Sequence, residues 1–354
     1  MLSDTPAPAS ASAARPLTAP AAPAARGASA VAHPNIALIK YWGKRDEQLM
    51  LPVTDSLSMT LDVFPTTTHV RLDQDAPEDR AALNGEEATG ETLRRITAFL
   101  DLVRARAGSS VRAVVDTRNT VPTGAGLASS ASGFAALATA AAAAYGLRLD
   151  AAGLSRLARR GSGSASRSVF SSFALWHAGT GTGEEGDTSS YAEPVPAADS
   201  LDAALVIAVV NAGEKAVSSR QAMRRTVETS PLYGPWAASS RDDLADMRSA
   251  LVRGDLKAVG EIAERNALGM HATMLAARPA VRYLSPATVT VLDRVLKLRQ
   301  DGVLAYATMD AGPNVKVLCR RADAADVADA VRDAAGTVVT ARPGPGAHLL
   351  DGGV

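Results

Sequence analysis

The sequence predicts an α+β protein built in two halves, and three observations carry that prediction. Strand-like and helix-like segments mix from Val31 onward without the regular strand-helix-strand succession of a doubly wound parallel sheet. A Gly/Thr/Glu/Asp-rich loop over 179–190 and a Pro/Ala stretch over 193–200 separate two such series. No unit of about 20 to 50 residues repeats, which excludes a solenoid or propeller.

Residues 1–29 are mostly Ala, Pro, Ser and Thr, too poor in apolar surface to offset chain ordering, and are expected to be a disordered tail. Pro6, Pro8, Pro16, Pro20 and Pro23 break any amphipathic helix there, and no apolar signal region exists, so a targeting peptide is disfavoured. The first half, 30–200, opens with an extended entry over 31–41. Strands follow over 56–62 and 67–72, a helix over 91–107, a strand over 111–116, a long helix opening near Leu127 and a strand over 170–177. The second half, 201–354, restarts with an apolar strand over 203–210. Charged helices come next over 241–251 and 256–268, then strands over 303–309 and 315–319 and a last helix over 324–335.

Composition narrows the function classes. The chain has 354 residues, with 37 Lys plus Arg against 37 Asp plus Glu, so nothing global attracts nucleic acid or an anionic membrane and any anion site is local. A single cysteine, Cys319, excludes an internal disulfide framework and a cysteine-rich zinc cluster and fits a reducing compartment. The most apolar helical run, 134–145, is too short and alanine-rich to span a bilayer and reads as a buried helix. His33, His69, His177, His271 and His348 are scattered with no metal-site spacing, and no Gly-x-Ser-x-Gly elbow occurs.

Four local motifs carry chemistry. An apolar strand over 303–309 delivers Asp310 into the turn Ala311-Gly312-Pro313-Asn314, where a rigid scaffold aims a carboxylate at a ligand; hydrogen bonding to the turn's own backbone is the alternative. In the segment 121–133, Gly124 and Gly126 let backbone amides approach an anion while Ser129 and Ser130 add hydroxyls at a helix N-terminus, the outline of a phosphate cradle. It lacks the Gly-Lys-Ser/Thr ending of a Walker loop and the third glycine of a dinucleotide fingerprint, and a serine cap before close helix packing reads equally well. Over 155–167 a basic helix end meets a Gly/Ser turn. A solvated basic face accounts for Arg156, Arg159 and Arg160 but poorly for Arg167 among tiny residues, where a planar guanidinium suits a carboxylate or phosphate. Over 35–44 an extended segment ends in Tyr41, Trp42, Gly43 and Lys44, the glycine permitting a bend; a strand with a snorkelling lysine is the plainer account.

Taken in order, NIALIKYWGK (35–44), the loop 122–133, GSGSASRS (161–168) and DAGPN (310–314) closely resemble the diphosphomevalonate decarboxylase family of the GHMP kinase superfamily, over about 32–320. Linking segments 217–223 and 270–273 join the resemblance. It implies a two-domain GHMP kinase fold, with a ribosomal-protein-like left-handed βαβ domain first and a ferredoxin-like domain second. It also implies ATP- and Mg²⁺-dependent conversion of (R)-mevalonate 5-diphosphate into isopentenyl diphosphate, ADP, phosphate and CO₂, in a cytoplasmic homodimer without nucleic-acid or membrane partners. Asp310, Arg167 and Lys40 would be catalytic, with Arg167 also holding the substrate carboxylate and Lys40 screening charge. Tyr41, Lys44 and Arg220 would clamp the diphosphate, with Trp42, Gly43, Ser162, Gly163, Ser164, Ala165, Ser166 and the backbone around Met223 lining the substrate. Pro122, Gly124, Gly126, Leu127, Ala128, Ser129 and Ser130 would bind ATP, and Ser129 the metal. The chain departs from the family pattern at Gly124, where alanine is expected, at Ser166, where cysteine is frequent, and at Ser171-Ser172, where Gly-Gly is common. Alternatives are a related small-molecule kinase, a mevalonate-monophosphate decarboxylase, or a non-catalytic nucleotide- or RNA-binding module. Neutral charge and an intact Asp310 speak against the last.

Overall fold

The structure is a computed structural model that describes residues 27–121, 129–210 and 217–351. Its first half holds a sheet in the order His348–Leu349, Gly27–Ala32, Thr66–Asp73, Arg112–Asn119, Arg80–Leu83, Glu86–Glu87. Thr66, Thr68 and Val70 alternate inward along one strand, the period expected where one face is packed. Helices α1 (Gly90–Ala107), α2 (Ser129–Ala144) and α3 (Ala151–Gly161) cover that face. The alanines of α2 are buried nearly all round, and their small size lets the helix lie close against Gly27–Ala32 and Thr66–Asp73.

A second antiparallel sheet, ordered Ala192–Pro194, Phe173–Trp176, Ser56–Thr60, Asn35–Ile39, faces the other half. There α4 (Gly183–Ser189) lies inside the segment expected to be loop, pinned because Asp187 accepts from Arg156 and from the fully buried Arg159.

The second half contains α5 (Ser219–Thr229), α6 (Tyr233–Arg253), α7 (Leu256–Leu275), α8 (Pro286–Gln300), α9 (Ala324–Val331) and an antiparallel sheet ordered Ala305–Met309, Val315–Arg320, Ala203–Val209, Thr337–Ala341. Strand Ala203–Val209 is buried on both faces. Leu205, Ile207 and Val209 join the core shared with α6, α7 and the second sheet, while Ala204, Val206 and Ala208 join the core under α8 and α9. The shared core fixes the two halves against each other.

Several expectations need correction. The first strand begins at Gly27, inside the expected tail, because Gly27–Ala32 pairs with Thr66–Asp73; residues 1–26 lie outside the described residues. The second half does not keep all of 201–354: His348 and Leu349 return to pair with Val31 and Ala30 of the first sheet. Strand 170–177 is shortened to Phe173–Trp176, and α5, α8 and Thr337–Ala341 were not expected. α5 offers only Ala222, Met223 and Val227 as apolar residues, and α8 opens on the β-branched run Thr288-Val289-Thr290-Val291, so neither announces a helix plainly, although Ser285 with Pro286 and Thr288 forms a capping box that marks the start of α8.

Candidate active site

The strand Asn35–Ile39 and the turn after Ala305–Met309 converge on one cleft of about 630 Å³. Lys40, at the end of the first, donates from Nζ to Asp310 Oδ1 at 2.8 Å and to the Ala37 carbonyl at 2.8 Å. Lys316 Nζ stands 3.2 Å from Asp310 Oδ2. Both lysines are buried, whereas Asp310 keeps 29% of its side chain open to the cleft. Burial alone would raise the Asp310 carboxyl, but the charges and hydrogen bonds of Lys40 and Lys316 outweigh it and hold the group well below the usual carboxylate range. Desolvation lowers the Lys40 ammonium, with Asp310 opposing. The turn itself is braced: His271 Nε2 lies 3.2 Å from the Asp310 carbonyl, Thr288 donates to the Pro313 carbonyl, and Asn314 Oδ1 accepts from the Val210 amide.

Arg167 follows the single turn Gly163–Ser166 and is fully buried. Its guanidinium donates to Ser58 Oγ at 2.9 Å and to Ser56 Oγ, and sits 5.6 Å over Trp176. No carboxylate of the described residues pairs with it, and burial lowers it only to about 10, so it stays charged. A buried cation surrounded by neutral oxygens favours an incoming anion.

Farther along the cleft, Lys44, Arg95 and Arg220 face one another. Burial lowers the Lys44 ammonium; Glu47 opposes this, and Arg220, Arg224 and Arg95 add to it. Arg95, on α1, donates to the Gly161 carbonyl at 3.3 Å and stacks over Phe134 at 5.1 Å. Among the described lining residues the cations are Lys40, Lys44, Arg95, Arg167 and Arg220, and the carboxylate is Asp310 alone. Such like-charge crowding suits a polyanion.

The structure brings Tyr41, Trp42, Ser129, Ser130, Ser162, Gly163, Ser164 and Met223 to the same cleft. Tyr41 Oη and Trp42 Nε1 are buried there with no hydrogen-bond partner among the described residues. Ser130 Oγ and Ser162 Oγ lie 3.2 Å apart, so the first turn of α2 adjoins the Gly/Ser segment before Arg167. Gly163 lets its own turn lie against the rings of Trp176 and Tyr41, since a Cβ would fall 2.8 Å from the first and 3.0 Å from the second.

Gly43, Ala165 and Ser166, expected to touch substrate, are not among the residues that line the cleft. Gly43, at φ +111, lets Tyr233 Oη donate to the Trp42 carbonyl where a Cβ would collide with it. Ser166 closes its turn onto the Gly163 carbonyl at 2.7 Å. Pro122, Gly124, Gly126, Leu127 and Ala128 lie outside the described residues. Arg95, Asn84 and Asn119 line the cleft, and Lys316 reaches Asp310 from behind it, none of them expected from the sequence. For Asn84 the signal existed: Asn84-Gly85, both at positive φ, is a hairpin turn between Arg80–Leu83 and Glu86–Glu87. No group of three or more His, Cys, Asp or Glu among the described residues is placed to hold a metal. Ser129 offers one hydroxyl, which fits a magnesium ion held mainly by phosphate oxygens.

An ionised aspartate among cations, on a two-part α+β scaffold, defines an enzyme of anionic small-molecule substrates. Residues 32–192 match the diphosphomevalonate decarboxylase-like N-terminal domain, and residues 205–341 the mevalonate 5-diphosphate decarboxylase C-terminal domain. The human diphosphomevalonate decarboxylase is 38% identical over 305 residues, covering 80% of this chain and 74% of its own. A phosphomevalonate decarboxylase of Haloferax volcanii is 34% identical over 307 residues, covering 86% and 92%. The solved structure of MDDEF in complex with MVAPP, AMPPCP and magnesium aligns at 44% identity with a TM-score of 0.86, over 92% of this chain and 99% of that one. The chain belongs to the diphosphomevalonate decarboxylase family.

Proposed function

We propose that the protein carries out ATP-dependent decarboxylation of (R)-mevalonate 5-diphosphate, giving isopentenyl diphosphate, ADP, phosphate and CO₂ with Mg²⁺ as the cofactor. The observation that carries the reading is the placement of ionised Asp310 and anion-ready Arg167 on one cleft with Lys44, Arg95 and Arg220 beyond them.

A tertiary hydroxyl is a poor leaving group, so its phosphorylation precedes carbon–carbon cleavage. Asp310 orients that hydroxyl. So weak a base does not take the proton in advance; it accepts it late, as the phosphoryl group arrives from ATP. The carbon–oxygen bond to the new phosphate then breaks as CO₂ leaves, and the electron pair of the broken carbon–carbon bond forms the alkene. Arg167 fixes the plane of the substrate carboxylate for that alignment. Orientation, more than neutralisation, is its task, because full neutralisation would oppose electron release. Lys44 and Arg220, with Arg95 as a third cation and the Tyr41 hydroxyl beside them, hold the diphosphate, while Trp42, Ser162, Ser164 and Met223 enclose the substrate. Ser129 and Ser130 would hold the ATP phosphates, and Ser129 would supply a hydroxyl to the metal, which would neutralise phosphate charge.

The same reading assigns 30–200 as the ATP-binding domain and the chain from 201 as the domain that carries Asp310. For the latter a ferredoxin-like type is supported by four antiparallel strands ordered second, third, first, fourth. For the former a βαβ unit is supported by the parallel pair Arg80–Leu83 and Arg112–Asn119, joined through α1. A homodimer in the cytoplasm completes the proposal; the buried lone Cys319 suits a reducing compartment, and among the described residues no helix is long and apolar enough to cross a membrane.

The test is to incubate the purified protein with ATP, Mg²⁺ and mevalonate 5-diphosphate while following ADP and CO₂. One-to-one release is expected, and ADP without CO₂ would mean a kinase. The Haloferax volcanii relative motivates a second reading, with a monophosphate substrate. The three-cation clamp favours the diphosphate, and a lower kcat/KM for mevalonate 5-phosphate in the same assay is the expected result.

A further inference from the structure

Lys316 lies beneath the cleft rather than in it. Val315, Val317 and Cys319 of its strand enter the core under α8 and α9, so the alternation turns Lys316 to the opposite face with Leu318, between Thr308 and Ile207 on the flanking strands. It is 1% exposed and does not line the cleft, yet its Nζ stands 3.2 Å from Asp310 Oδ2. Stability is a poor reason for such a residue. An aliphatic side chain would suit the apolar face it shares with Leu318, and burying an ammonium carries a desolvation penalty that its attraction to a carboxylate often fails to recover. Charge balance is a poor reason as well, because Lys40 already neutralises Asp310 and Arg167 adds a further cation nearby.

A second lysine does supply geometry. With Lys40 on Oδ1 alone, the carboxylate is held at one oxygen and its plane turns freely about the bond to Cβ. With Lys316 on Oδ2, both oxygens are held from the protein side, and their remaining lone pairs are left for the cleft.

We propose that Lys316 is a positioning residue for the phosphoryl-transfer step, gripping the second oxygen of Asp310 from below so that the carboxylate meets the substrate hydroxyl ionised and in a fixed plane. The inference rests on the functional reading above and adds to it a residue outside the cleft. Among the described residues, groups facing Asp310 come from four places: Lys40 after Asn35–Ile39, Lys316 on Val315–Arg320, Arg167 after the turn Gly163–Ser166, and His271 on α7. Of these, Lys40 and Lys316 are the cations on its oxygens, and both depress the carboxyl. Loss of Lys316 therefore moves Asp310 upward, toward the ordinary carboxylate range.

The experiment measures kcat and KM across the pH range for the parent, Lys316→Met, Lys316→Gln and Lys316→Arg, with thermal unfolding as the check on folding. Lys316→Met and Lys316→Gln are expected to lower kcat about tenfold or more, with both KM values within about twofold of the parent. Their acid limb of kcat should move to higher pH. Lys316→Arg, which keeps the charge, should hold the parental limb and regain most of the rate. Made on top of Asp310→Asn, Lys316→Met should cost nothing further, because the lysine acts through that carboxylate. An equal loss in both backgrounds, or folded neutral variants with parental kcat and acid limb, would overturn the role. If Lys316→Met does not fold, the same outcomes are read from Lys316→Gln, and a displaced limb in Lys316→Arg overturns the role without either. A parent that releases no CO₂ would instead overturn the reading of the whole site, and the role with it, an outcome visible before any variant is made.

Discussion

Asn35 presents its amide oxygen to Arg167, 3.4 Å from both Nε and Nη2, while its Nδ2 donates to the Ser164 carbonyl at 2.9 Å and to Ser168 Oγ at 2.8 Å. One neutral side chain thus steadies the buried guanidinium and the turn that delivers it without neutralising either. Arg167→Lys keeps the charge but loses the planar fork, and turnover should fall about ten- to a hundredfold. Asn35→Asp should raise the apparent constant for the substrate, because a fixed carboxylate then competes for the same cation. Steady-state kinetics check both; a parental Arg167→Lys together with a mild Arg167→Ala would place the substrate carboxylate elsewhere.

The proposed reading puts two anion sites on the cleft, and variants should separate them. Lys44→Ala, Arg95→Ala and Arg220→Ala should weaken substrate binding about ten- to a hundredfold, since each removes a charge-assisted contact worth roughly 1.5 to 3 kcal/mol. Ser129→Ala or Ser130→Ala should raise the constant for ATP and leave the substrate constant largely unchanged. Titrating each ligand against each variant at one Mg²⁺ concentration checks this, and crossed effects would exchange the two sites.

His271 gives a pH dependence of stability. Burial, then the nearby Lys40, lowers its imidazole from 6.5 to about 4, so the folded chain keeps it neutral where the unfolded chain takes up a proton. Stability should therefore decline as pH falls from about 6.5 toward 4, by at most about 3 kcal/mol from this group. In His271→Asn that part of the decline should vanish. Urea midpoints at pH 7.5 and pH 4.5 for both proteins measure it, and equal declines would remove His271 as the cause.

Ser172 holds φ at +58, the left-handed region that glycine adopts without strain, while its carbonyl accepts from the Thr60 amide at 2.7 Å. The loop behind Arg167 thus keeps a glycine-type backbone at a serine. Ser172→Gly should stabilise the protein by about 0.5 to 1 kcal/mol, the relief of strain outweighing the added freedom of the unfolded chain. Thermal unfolding should show a rise of about 1 to 3 °C. A fall would mean that the serine side chain contributes more than its backbone costs.

What could be read from the chain was local. The Asp310 turn, the bend at Gly43 and the Gly/Ser run before Arg167 are set by residues adjacent in sequence, so their chemistry and backbone preferences stand together on the page. The mixed α+β class followed from short-range periodicity for the same reason, whereas α5 has few apolar residues and α8 opens on a β-branched run, so neither was seen.

Contacts between distant segments were decided by packing. Nothing in the order of Arg94, Arg95, Arg104 and Arg106 tells which arginine of α1 faces the cleft; the lie of the helix over Phe134 selects Arg95, while Arg104 is drawn into the buried Asp79. Lys316 reads as an interruption in an apolar strand until the turn places Asp310 above it. The return of His348 and Leu349 to the first sheet is a pairing across more than half the chain. Sequence by itself determined the local conformations and the kinds of chemical groups, because backbone preference and side-chain chemistry are properties of neighbouring residues. The tertiary structure decided which charges meet and which are buried, because desolvation and Coulomb energy depend on distance in space.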